Sequence, residues 1–195
     1  MIDYFALLDQ SRQPWLDPDE LKDCYHQKTM LFHPDVQTDS GRDNSQISFS
    51  NLNEAYQVLR DPKRRLHHLL TLEGAAPSSN SETIPEQLLA LFPEVGALTK
   101  RANLLLEKIE VSSNNLSRSL LKPELLDLQQ ETKKVRENIQ RLFDSSMAEL
   151  QQINADWVKS PTGQIKNLSR LHAVFAYLSR WTAQVDEITF KLSLR

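Results

Sequence analysis

Four glycines, Gly41, Gly74, Gly96 and Gly163, in 195 residues leave this chain little means of making tight hairpin turns. Against them stand 31 leucines but only 8 valines and 8 isoleucines. Leucine loses little rotamer freedom in a helix, whereas β-branched residues favour strands. An all-α protein is expected. The same glycines lie too far apart to build a loop that cradles phosphate.

Hydrophobic residues make up 39% of the chain and charged residues 25%, enough apolar surface for a core and too much for wholesale disorder. The net charge of −3 supplies no basic field to draw the chain onto nucleic acid or anionic lipid. One cysteine, Cys24, excludes an internal disulfide and a multi-cysteine zinc site, so no metal or cofactor is expected. The opening Met1-Ile2-Asp3-Tyr4-Phe5 has no basic leader, and no apolar run approaches a membrane span of about 18 residues. A soluble, cytoplasmic monomer is expected.

A small, polar, proline-bearing stretch, Gly74 to Ser81, follows a dense apolar run and reads as a linker. It divides residues 1–74 from a linker over 75–84 and a second domain over 85–195. In the first half, a short helix is expected over about 3–9. A second should start at Asp17-Pro18, where Asp17 can cap and Pro18 suits the first helical position, and should end at Phe32 before Pro34. A polar loop follows. A third helix over about 47–60 should bury Phe49, Leu52, Tyr56 and Leu59, and a fourth should follow Asp61-Pro62.

The second half reads as three helices. The first covers about 85–110, with Pro93 and Gly96 bending it near its start, and the second about 123–154. In the third, Leu168, Leu171, Phe175, Leu178, Thr182, Val185, Thr189 and Leu192 alternate steps of three and four. That heptad spacing predicts an antiparallel three-helix bundle.

The motif that points to function is His33-Pro34-Asp35, an imidazole and a carboxylate presented on either side of a proline just after an amphipathic helix. With Tyr25, Phe32, Phe49, Asn53, Ala55-Tyr56, Leu59, Asp61-Pro62 and Arg65, it resembles the J-domain of DnaJ-type co-chaperones over about residues 2–74. Asp3-Tyr4-Phe5, the run from Asn53 to Pro62, and Leu69-Leu70-Thr71-Leu72-Glu73-Gly74 resemble the HscB family in particular. That resemblance implies an N-terminal J-domain with its helical hairpin, followed by a client-binding three-helix bundle. It implies stimulation of a DnaK/HscA-type chaperone's ATPase and delivery of an iron–sulfur scaffold protein, with no catalysis by the chain itself.

Carried over by position, His33, Pro34 and Asp35 would trigger the chaperone, assisted by Lys22 and His26 on the preceding helix. Leu88, Leu89 and Phe92, completed by Phe175, would form an exposed client face, although the family's acidic positions fall here on Pro93 and Gly96. Lys28 stands where the family buries leucine, and His68 where it has a packed aromatic. Three other readings remain: an adaptor for a different client, a degenerate J-domain acting as a helical interaction protein, and an enzyme using His33 with Asp35 or His67-His68. Adjacent histidines point about 100° apart on a helix, which disfavours chelation by that pair.

Overall fold

The computed structural model describes residues 1–31, 49–76, 84–112 and 114–195, and within these it is all-α, without strands. The helices are α1 (Tyr4–Leu7), α2 (Pro18–Leu31), α3 (Phe49–Arg60), α4 (Pro62–Leu72), α5 (Leu91–Val111), α6 (Asn115–Trp157) and α7 (Pro161–Ser193), with a 3₁₀ turn at Glu86–Leu88. Packing groups them into two compact units. One comprises Met1–Asn80 with Ala148–His172, and the other Ser81–Met147 with Ala173–Arg195.

In the first unit, α3 packs against α1, α2 and α4. Its core holds Phe5, Leu8, Leu21, Leu52, Leu59, Leu66, Leu69 and Leu70. The expected caps form. Asp17 Oδ1 accepts from the Asp19 and Glu20 amides at 2.9 and 3.1 Å, and Asp61 Oδ1 from the Arg64 amide at 2.9 Å. Phe49 departs from expectation: at the first residue of α3 it is half exposed.

The loop between α1 and α2 is held from two sides. Buried Arg65 donates from Nε to the Pro14 carbonyl at 2.8 Å and from Nη1 to the Leu59 carbonyl at 2.5 Å. From the end of α6, the Trp157 indole donates to the Arg12 carbonyl at 2.8 Å, and Asn154 Oδ1 accepts from the Trp15 amide at 3.1 Å. These contacts, made across more than a hundred residues of sequence, bring residues 148–172 into the first unit.

The second unit is an antiparallel bundle whose directions follow from its side-chain pairs. Glu94 meets Asn138, Arg101 meets Asp127 and Glu131, and Lys108 meets Glu124, so α5 and α6 run oppositely. Phe143 meets Phe175, Arg136 meets Asp186, and Gln129 meets Leu192, so α6 and α7 do too. Of the expected heptad positions of α7 in this unit, Phe175, Leu178, Val185 and Leu192 are buried, whereas Thr182 is half-buried and Thr189 exposed, and the larger apolar Trp181 and Ile188 beside them fill the core instead.

Two helix starts differ from expectation. Helix α5 begins at Leu91, not near 85, which places Pro93 in its first turn, where the N–H a proline lacks has no intrahelical partner anyway. Gly96 leaves the helix unbroken. Helix α6 begins at Asn115, before Pro123, because Asn114 Oδ1 accepts from the Ser117 amide at 2.7 Å and caps it there.

Candidate functional site

Helix α2 is pinned to α3 along one side. The Tyr25 hydroxyl donates to Asn53 Oδ1, and its ring stacks on Tyr56 with centroids 4.4 Å apart. Lys22 and His26, one turn apart, lie exposed on the helix surface, as the docking reading requires. Acidic Asp19, Glu20 and Asp23 stand beside them, so the face carries both signs. His33, Pro34 and Asp35 follow α2 and lie outside the described residues, as do Phe32 and the polar loop after it.

Lys28 resolves its unusual position by an ion pair. Its ammonium reaches Asp9 at 2.8 Å with the stem largely covered, and Asp9 takes a left-handed backbone, φ 50°, to meet it. Near the C-terminal end of α2, His26, Thr29 and Met30 join Tyr25 and half-exposed Phe49 around a shallow cavity of about 290 Å³.

On the second unit the four residues expected to form a client face do not come together as one surface. Leu88 is fully buried, because the 3₁₀ turn at Glu86–Leu88 directs it inward. Phe175 is 2% exposed and packs edge-on against Phe143 at 5.5 Å, a bundle-core position set by the heptad between Leu171 and Leu178. Both are withdrawn as exposed contact residues. Leu89 and Phe92 remain at the surface, 55% and 49% exposed.

The neighbours of Phe92 are aromatic, and sequence reasoning passed over them. Phe92 meets buried Trp181 edge-on at 6.2 Å. Half-buried Tyr177 lies 5.7 Å from Trp181, and the Arg180 guanidinium caps the Tyr177 ring at 5.6 Å. The signal was present as two aromatics four apart on α7, one face of a helix. Glu94 supplies one carboxylate on α5 and accepts a hydrogen bond from Asn138 at 3.0 Å.

His68 is packed, as its alignment with an aromatic implied, between Tyr4 and Phe5. His67 lies outside that pocket and faces His172, with ring centroids 5.5 Å apart. Burial above all, and then the charges of His67 and Lys63, push the His172 imidazole down to about 4. Among the described residues, no three His, Cys, Asp or Glu side chains gather as metal ligands, and no helix is long and apolar enough to cross a membrane.

Residues 3–68 match the DnaJ domain family. Over 81 residues the chain is 33% identical to a DnaJ homolog subfamily A member 1 homolog of Dictyostelium discoideum, covering 41% of this chain and 18% of that protein. Over 63 residues it is 40% identical to the chaperone protein DnaJ of Acaryochloris marina, covering 32% and 16%. The chain thus spans under a fifth of these relatives' length.

Residues 3–68 thus carry a DnaJ-type J-domain. In fold the chain is similar to the HscB chaperones. Human co-chaperone HscB superposes with a TM-score of 0.51 at 18% identity over 96% of this chain and 82% of that one. The Vibrio cholerae chaperone HscB gives 0.51 at 21% identity over 98% and 99%.

Proposed function

We propose that the chain is a J-domain co-chaperone that stimulates ATP hydrolysis by a DnaK- or HscA-type chaperone and brings it a client. The observation that carries this reading is the DnaJ match over residues 3–68, which contains His33-Pro34-Asp35 together with the exposed Lys22 and His26 of α2. The histidine and aspartate engage polar groups of the chaperone, and the two basic side chains meet an acidic surface on it, setting encounter rate and orientation. Hydrolysis itself belongs to the partner, so the chain acts as an adaptor without catalytic groups of its own. In this division of labour residues 1–74 are the J-domain, 75–84 the linker and 85–195 the client-binding bundle.

The client is an iron–sulfur scaffold protein, an inference resting on the resemblance to the HscB family and on the shared fold. Its docking face is narrower than the sequence suggested: Leu89 and Phe92, backed by Trp181 and Tyr177. Aromatic anchors backed by a rigid core are the kind of residues that dominate binding energy. The test has two arms. Added to the chaperone of its own cell, the chain raises the ATPase rate; no stimulation would leave a degenerate J-domain. The double variant Leu89→Ala/Phe92→Ala keeps its melting point but loses the scaffold protein in pull-down, whereas retained capture would place the client elsewhere.

A further inference from the structure

We propose that His68 is a pH-sensitive latch that fastens the N-terminal segment to α4, and that protonation of its Nε2 releases α1. The Tyr4 amide donates to His68 Nε2 at 3.1 Å, so that nitrogen accepts and carries no proton while the contact lasts. The contact is central to α1. With four residues, Tyr4–Leu7, the helix is far too short to persist unaided. Each of its leading amides has an assigned acceptor: Tyr4 has His68 Nε2, Phe5 and Ala6 share Asp3 Oδ1, and Leu7 has the Asp3 carbonyl. One of these acceptors is an imidazole, a group whose ordinary titration lies near neutrality.

Protonation reverses the contact. Nε2–H and the Tyr4 N–H then oppose each other, donor against donor, inside a site where His68 is 6% exposed and its ring lies 4.6 Å from Tyr4 and 5.8 Å from Phe5. The imidazole has no room to turn away unless α1 leaves. Since α1 and the residue that ends it supply Phe5 and Leu8 to the core, both fully buried, its departure uncovers apolar surface beside α3.

The charged groups around His68 do not favour the cation on balance. Asp3, just before α1, attracts it, but Asp3 is already paired with Arg12 at 2.8 Å. Arg12, on the loop after α1, and His67, on α4, repel it. Burial is the largest influence and holds the imidazole below its ordinary value, with Asp3 opposing and Arg12 and His67 adding to the depression. Released His68 therefore takes up a proton that latched His68 refuses. Acid drives the release, and neutral pH restores the latch.

The experiment is amide exchange at Tyr4 and ¹⁵N spectroscopy of His68 in the full chain between about pH 7.5 and 5.5. The expected spectrum at pH 7.5 shows bare Nε2. Tyr4 exchange, corrected for its intrinsic pH dependence, should accelerate by up to about tenfold per unit of pH once the freed imidazole can protonate, while Leu69 stays protected. His68→Gln, which offers a non-titrating acceptor, should flatten the acceleration if it folds. The wild-type measurement is decisive if it does not. A proton on Nε2 at pH 7.5, or Tyr4 exchange that keeps its corrected rate down to pH 5.5, would overturn the latch.

Discussion

The two units hold short and long helices together by different means. In the first, α1 to α4 run for 4 to 14 residues, and individual polar anchors place them: capping Asp17 and Asp61, Arg65 on two carbonyls, His68 on the Tyr4 amide, and Trp157 on the Arg12 carbonyl. In the second, helices of 21 to 43 residues lean on a continuous apolar seam, with Arg101, Lys108 and Arg136 pairing at the exposed rim. A long helix repeats its contacts and can lose one polar pair cheaply, since exposed ion pairs contribute about 0–1 kcal/mol each. A short helix has few contacts, so a single lost hydrogen bond can displace it. The first unit should be fragile to polar substitution, the second to loss of apolar volume.

The comparison breaks most severely by cutting the chain. A fragment of residues 1–76 lacks Asn154 and Trp157, which hold the α1–α2 loop. It should lose its sharp thermal transition in circular dichroism. A fragment melting as cooperatively as the whole chain would show that these anchors are dispensable.

Next in size is Phe175→Ala in the second unit, which empties a core position and should cost about 3–5 kcal/mol, read from denaturant midpoints. Arg65→Met should cost the first unit about 1–3 kcal/mol for each carbonyl left without its donor, although the substitute fills similar space. Little change on Arg65→Met would contradict the view that polar anchors carry the first unit. Burial lowers the Arg65 guanidinium to about 10, so it stays charged at neutral pH and the carbonyls keep a cation.

The last of these effects is a pH dependence. Folded His172 protonates only near about 4, against an ordinary value of 6.5, so between those limits the unfolded chain binds the extra proton. Its contribution to stability is intact above 6.5, falls as the pH drops below it, and is fully lost below about 4. His172→Gln should flatten the melting temperature over that window. An unchanged slope would mean that the imidazole is not desolvated.

Local signals were legible in the sequence. Leucine spacing located the long helices, Asp17 and Asp61 marked two starts, and the leucine, valine and phenylalanine positions of the heptad from Leu168 to Leu192 are buried. Proline misled twice, at Pro93 and Pro123, because the true starts were decided by a turn ahead of one and by Asn114 ahead of the other. Burial of Leu88 turned on the sense of a single 3₁₀ turn, which has no periodicity to read. Least legible was the grouping of residues 148–172 with the N-terminal segment, since Asn154 and Trp157 announce nothing at a separation of 139 to 145 residues. At the site, the exposure of Lys22 and His26 followed from helical position and that of Leu89 and Phe92 from the client resemblance, while Phe175 satisfied the core heptad as well as that resemblance, and the core won.

The central claim is tested most directly at His33. ATP hydrolysis by the DnaK-type chaperone of the same cell should be measured in single turnover with the wild-type chain and with His33→Gln, alongside circular dichroism of both. Stimulation is expected from the wild type and its loss from the variant, with the helical signal and melting temperature unchanged. Equal stimulation by a well-folded His33→Gln chain would contradict it.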